Sequence, residues 1–325
     1  MTPDPNPETI AEHASHPGGP TTPARRGAMR LHPSLTVLLR RDGTVQLGWD
    51  PDTALLLRPP DTVPTPALLT LLRLLGGKHT RAEVVSHATE LGIDPRVCAA
   101  ILDELGGAGL IVPVVDRAGP SAVRVHGRGP LADLICAALA GSGVRLSRSA
   151  DGHRAGIHDR RAEVRRWNCE LVVLTDDLVA DPPLVTALLD LRVPHLQVRI
   201  RDGRGVVGPL VLPGRTSCLR CADLTRCDYD RDWPHLAAQL LGRAGYARPA
   251  AVQATAAITL AELDVVLDGA PNVVPAILDA TLELDLRTNQ LRRRQWHRHR
   301  LCDCARSGAA ARTVAGEPSL PIGRQ

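Results

Sequence analysis

Phenylalanine is absent from this 325-residue chain, and its aromatic complement is four tryptophans and two tyrosines. So few rings leave little from which to build the stacking platforms that hold single-stranded nucleic acid. Lysine is almost missing too: Lys78 is the sole lysine, and arginine carries the basic charge. The formal net charge is +4, but the 39 basic residues are spread along the chain and nearly matched by 35 acids. A basic face for nucleic acid therefore does not follow, and no nucleic-acid partner is expected. No unbroken apolar run approaches the ~18 residues of a membrane span. The opening stretch lacks the basic-then-apolar order of an export signal, so a cytoplasmic protein away from membranes is expected. HExxH, GxSxG and P-loop motifs are all missing, and no cysteine–histidine pair reads as a nucleophile with its base. No catalytic residue is assigned.

What is present is ordinary globular composition, 44% apolar and 23% charged, in a chain long enough for two domains. Residues 1–29, rich in Pro, Gly and Thr, read as a disordered tail, 30–115 as a small peptide-binding unit, 121–306 as a Rossmann-like domain, and 307–325 as a flexible C-terminal tail. Residues 116–121 would be the linker.

In the first unit, LTVLLR, the turn Arg41-Asp42-Gly43 and TVQLG read as a β-hairpin, followed by a third apolar run, ALLLR, at 54–58. Three amphipathic helices are predicted at 66–75, 81–91 and 95–105. Thr80 with Glu83 forms a capping box, Asp94 caps ahead of Pro95, and Gly92 and Gly106 sit at C-terminal ends. Three strands then three helices make a winged-helix-like α+β module. The second unit opens with AVRVH (122–126), a glycine-rich turn through Gly127 and Gly129, and a helix from Pro130. Further strands at 144–146 and 171–175 and a helix at 183–191 fit a parallel, doubly wound α/β sheet. HLQVRI, VVGPLVLP, ATLELDL and QLRRRQW read as an antiparallel extension, with a long helix at 250–267.

Cys218-Leu219-Arg220-Cys221 is answered by Cys302-Asp303-Cys304. Four thiolates from two distant turns can close a tetrahedral site around Zn2+, and such a site has no open position, so it would be structural. The bland alternative is four small buried residues, and His297 and His299 stand nearby as substitute ligands. Cys98 and Cys136 fall in predicted helices as core. Gly127 and Gly129 would let a backbone approach a nucleotide phosphate, or simply permit tight strand-to-helix packing. Asp176 and Asp177, at a strand's C-terminal end, would hold Mg2+ or cap the next helix.

Taken together, Val125-His126-Gly127-Arg128-Gly129-Pro130-Leu131, the segment from HLQVRIRDGRGVVGPLVLPGRTSCLRCADL to LAAQLLG, and LCDC resemble the ThiF-type domain of azole-peptide maturation proteins, over roughly 121–306. The opening HPSLTVLLRRDGTVQLG and the ending VCAAILDELGGAGLIVP are similar to the PqqD-like leader-recognition module. This resemblance implies that the leader of a ribosomally made precursor peptide adds beside the third strand and packs on the third helix, where Leu55, Leu57, Arg58, Val97 and Ile101 would line the groove. For each apolar one, plain core is the alternative. It also implies a YcaO-type cyclodehydratase as partner, with related proteins suggesting a homodimer. An adenylating member would bind ATP and Mg2+ at Gly127, Gly129 and Asp176; Pro130 in the loop and a lone lysine in the other unit argue against it. A winged-helix DNA-binding regulator is the remaining reading, weakened by Asp103 and Glu104 on its recognition helix.

Overall fold

The computed structural model describes residues 27–58, 60, 62–114, 119–150, 157–269 and 273–304. The chain divides into two compact units, Met1–Asp116 and Arg117–Gln325. The tail expected at 307–325, and all but the last three residues of the one expected at 1–29, lie outside the described residues.

The first unit runs β1 (Ala28–Leu31), β2 (Val37–Leu39), β3 (Val45–Leu47), β4 (Leu55–Leu57), α1 (Thr65–Leu74), β5 (Gly76–Thr80), α2 (Arg81–Glu90), α3 (Pro95–Gly107), β6 (Ile111–Pro113). The β2–β3 hairpin turns where Gly43 adopts φ +83°, and the Asp42 carboxylate accepts the Thr44 amide at 3.0 Å. β4 then pairs antiparallel with β3. Thr80 and Glu83 close the capping box on α2, and Asp94 accepts the Arg96 amide at 2.7 Å to start α3. Leu68, Leu71, Val84, Leu102 and Leu105 bury their side chains with Val45 and Leu47 in one core.

Two expectations need correction here. The unit holds two three-stranded antiparallel sheets, β2-β3-β4 and β5-β1-β6, where one was expected. β1 lies partly in what read as tail, since Ala28 and Met29 belong to it, and β5 reads GGKHT, with no apolar alternation to betray a strand. Secondly, α3 continues through Gly106, and the chain turns at Gly109 with φ +70°.

The second unit runs β7 (Ala122–His126), α4 (Pro130–Leu139), β8 (Arg145–Ser149), α5 (Ile157–Trp167), β9 (Leu171–Thr175), α6 (Pro182–Asp190), β10 (His195–Arg201), β11 (Arg204–Val211), α7 (Leu219–Tyr229), α8 (Trp233–Leu240), α9 (Pro249–Asp268), β12 (Ala280–Asp285), β13 (Gln290–Gln295). They build a seven-stranded sheet ordered β13-β12-β11-β10-β9-β7-β8. β8, β7, β9 and β10 are parallel, and β10 through β13 antiparallel. The central parallel strand β9 is apolar on both faces because both are covered: Leu171 and Val173 face the core with Leu131, Ile135 and Leu263, while Val172 and Leu174 face Leu184 and Leu188. α9 has the length and composition of a membrane span, yet it packs against α4 and β11 and buries Thr255, Thr259, Leu263 and Leu267.

α5 escaped the sequence reading because its RRAEVRRW stretch is so charged. Arg160, 1% exposed, explains the charge in part: it binds Asp181 at 3.1 Å and Glu163 at 2.8 Å and so ties α5 to the start of α6. The strand order reverses between β7 and β9, so the helices that follow these two strands, α4 and α6, cover opposite faces of the sheet.

Candidate functional site

Four buried cysteines come together in the second unit. Cys218 caps the N-terminus of α7 and Cys221 lies in its first turn, so this half of the cluster is helical and not the free turn the spacing suggested. Cys302 and Cys304 arrive on the turn after β13. The sulfurs stand 3.7 Å apart for Cys218–Cys221, 3.6 Å for Cys218–Cys302 and 3.5 Å for Cys221–Cys304, and all four lie within 4.8 Å of one another. These spacings exceed the ~2.05 Å of a disulfide and approach the edge of about 3.8 Å of a tetrahedron with metal–sulfur bonds of about 2.3 Å. The donor set fits a closed structural metal site. The hydrogen bond to Cys221, with burial, holds Cys218 above the ordinary thiol range; burial, then Cys221, pushes Cys304 up to about 12; and the Cys218 thiol draws Cys221 down to about 4. A bound dication would supply the missing positive charge. The histidine substitutes stand aside: His297 is exposed, and His299 binds Asp228 through Nε2 at 2.8 Å while its Nδ1 accepts the Leu301 amide. Cys98 is buried core, and Cys136, Cys169 and Cys227 are half-buried.

The glycine-rich turn meets Asp176. Gly129 caps α4, and Pro130 supplies its first residue. The Asp176 carboxylate, 6% exposed, accepts the amides of Gly129 at 3.1 Å, Leu131 at 3.0 Å and Ala132 at 3.2 Å. Asp176 takes φ +71° to do so, a conformation Asp tolerates better than most residues. Thus Asp176 caps not the next helix but one 44–47 residues earlier, and its charge sits on the helix N-terminus where a phosphate would otherwise be received. A Cβ on Gly129 would run into that carboxylate, and one on Gly127 would strike Thr175. Close approach explains both glycines. Asp177 lies beside this cap, with its backbone bridged to Ala244.

The groove residues of the first unit separate into two kinds. Leu57 and Ile101 belong to the core, 3% and 7% exposed; Leu55 and Val97 sit half-buried at its margin, and Arg58 is exposed. β4 is an edge strand, its far side unpaired among the described residues. A cavity of about 330 Å³ does border α3, but on a different face, beside Met29 and Ile111. The opposite edge, β2, carries Val37, Leu38 and Leu39, exposed by 39%, 38% and 57%, with Trp49 exposed by 76% nearby. The sequence marked this strand without showing that its apolar side chains stay outside.

A cavity of about 600 Å³ in the second unit also escaped the sequence. Its floor is β10, whose residues alternate: Leu196, Val198 and Ile200 enter the core, and Gln197, Arg199 and Arg201 line the cavity. α6, α7 and α8 wall it, and the Cys302–Cys304 turn closes one side. The alternation inside HLQVRIR was the available signal.

No protein-family model matches the chain, and no curated protein matches it by sequence. Solved structures do. The heterocyclase TruD superposes with a TM-score of 0.57 at 17% identity, over 91% of this chain and 45% of that one. E. coli MccB, solved with MccA, gives 0.54 at 12% identity, over 85% of this chain and 99% of that one. The same enzyme solved with ATP gives 0.53 at 11% identity over the same shares. The chain spans less than half the length of the heterocyclases it matches. At these identities the likeness is one of fold: a mixed α/β protein with a parallel sheet of the ThiF/MccB kind and small antiparallel sheets at its N-terminus.

Proposed function

We propose that this chain captures the leader of a ribosomally synthesised precursor peptide and presents it to a YcaO-type cyclodehydratase for azoline or azole formation, without chemistry of its own. The observation that carries the non-catalytic part is the Asp176 carboxylate on the amides of Gly129, Leu131 and Ala132. A nucleotide phosphate would have to displace this anion. The fold likeness to a heterocyclase and to a protein solved with the peptide MccA supports peptide handling. In this reading the leader adds as a strand to β4, its apolar residues packing near Leu55 and Val97 and its acidic ones meeting Arg58. Holding the leader raises the effective concentration of the core peptide at the partner enzyme. Zn2+ on Cys218, Cys221, Cys302 and Cys304 is the structural staple of the second unit, its binding energy counting as folding energy. The protein works in the cytoplasm, where thiols stay reduced.

The test is fluorescence anisotropy with labelled leader peptides from precursors encoded beside the gene. Arg58→Glu and Val97→Asp weaken binding at least about tenfold, a loss of about 1.4 kcal/mol. Equal binding by both variants would overturn the β4 site, and the apolar β2 edge would be the next place to look. One observation favours a second reading, an ATP-dependent adenylating enzyme acting on a peptide or carrier-protein C-terminus: the fold covers 99% of MccB, which has been solved with ATP. ATP–pyrophosphate exchange by the isolated chain would establish that reading in place of ours.

A further inference from the structure

The β10 floor of the cavity in the second unit holds a buried cation with no counter-ion in contact among the described residues. Arg199 is 5% exposed, and its hydrogen bond goes from Nη1 to the neutral Gln197 Oε1. Among the described residues no carboxylate lies within ion-pair distance of it. The neighbouring half-buried arginines are served: Arg226 binds Asp223 at 2.7 Å and rests over Trp233 and Trp296, and Arg201 binds Glu283 at 2.9 Å. Burial, with repulsion from Arg226 and Arg201 that outweighs the more distant pull of Asp223 and Glu283, draws Arg199 down to about 9, which leaves it a cation at neutral pH. A buried charge without a partner destabilises a fold and is kept where something outside the fold repays it.

We propose that this cavity is a binding site for an organic carboxylate with an apolar body, held by Arg199. The guanidinium fork matches a carboxylate in two parallel hydrogen bonds. The surrounding charge selects a monoanion: four arginines and four aspartates line the cavity. Their formal charges cancel, which disfavours a dianionic phosphate; Arg220 is exposed to solvent, and Arg199 is the buried guanidinium of the four, without an acid in contact among the described residues, that takes a single negative charge. Val185 and Leu189 of α6, with Trp233 of α8, supply an apolar wall for the body of the ligand. The volume of about 600 Å³ suits a small molecule or a few residues of chain. Two sources offer this chemistry, the free C-terminus of a peptide and a free aliphatic acid.

Calorimetry and thermal shift on the full, metal-loaded chain test it with four probes: hexanoate, hexanamide, a leucine-rich tripeptide with a free C-terminus, and its C-terminal amide. At least one acid binds, its amide binds at least about tenfold more weakly, and whichever acid binds identifies the source. Arg199→Gln loses the acid and, without ligand, unfolds at a higher temperature than the parent, because an unpaired buried cation has gone. Arg199→Lys keeps the charge but loses the fork, and falls between the two in affinity. Acids and amides binding alike, or neither binding, overturns the site. Inorganic phosphate competing with the acid overturns the monocarboxylate. A lower unfolding temperature for Arg199→Gln, or failure to fold, makes Arg199 a structural residue and overturns the proposal.

Discussion

Asp176→Asn separates an internal helix cap from a metal or nucleotide ligand. Asn keeps the shape of the side chain and tolerates the left-handed backbone at this position, so the change isolates the second oxygen and the charge. The carboxylate serves three amides with two oxygens: Oδ2 takes Gly129 and Ala132, and Oδ1 takes Leu131. Asn can offer one acceptor. Its best rotamer keeps the two Oδ2 bonds and turns an NH2 donor toward the Leu131 amide, in a place that is buried. One donor is then unsatisfied, which costs about 1–3 kcal/mol, and two bonds lose their charge assistance, for a total of roughly 2–4 kcal/mol. For a unit of this size that lowers the unfolding temperature by about 5–15 °C. Far-ultraviolet circular dichroism of the full chain, with metal content measured alongside, reads the shift. If Asp176→Asn keeps its stability within about 0.5 kcal/mol and instead abolishes a nucleotide-dependent reaction, the carboxylate is a ligand and the reasoning fails.

Gly129→Ala drives a methyl group into the same carboxylate, so its cost is comparable, and combined with Asp176→Asn the two effects add to less than their sum in denaturant titrations. Cys218→Ser lowers bound zinc from one per chain, by elemental analysis, and drops the unfolding temperature by more than about 10 °C; unchanged metal content would remove Cys218 from the cluster. Burial brings His195 down to about 4, with its Nδ1 on the Val193 carbonyl. The unfolded chain therefore takes up this proton first on acidification: the stability is whole above about pH 6.5, is lost as pH falls through the window to about 4, and amounts to roughly 3 kcal/mol. His195→Asn flattens that part of the stability–pH profile measured by urea titration.

The sequence announced what depends on local period and punctuation. Apolar runs at β7 and β9, glycines between β7 and α4, and the capping box at Thr80 each state their conformation within a few residues, and the paired cysteines carry metal spacing on their face. The unannounced parts depend on a distant partner. Asp176 sits 44–47 residues from the amides it serves, and a carboxylate before a helix reads as that helix's own cap until the strand order is known. α5 was hidden because Arg160 reads as a surface charge in sequence, while in space it is buried against Asp181 as well as Glu163. Arg199 lay in plain alternation along β10, but its burial required α7 and α8, which the pattern did not reveal.

The two halves of the cysteine cluster are separated along the chain by more than eighty residues. A ribosome adding about 5–20 residues per second leaves Cys218 and Cys221 waiting roughly 4–16 seconds for their mates. Throughout that interval the first pair is uncovered and open to oxidation or to a mismatched ion. With the proposed zinc on these cysteines, the supply of metal and reductant during translation, rather than after release, would govern how much of the newly made protein matures correctly.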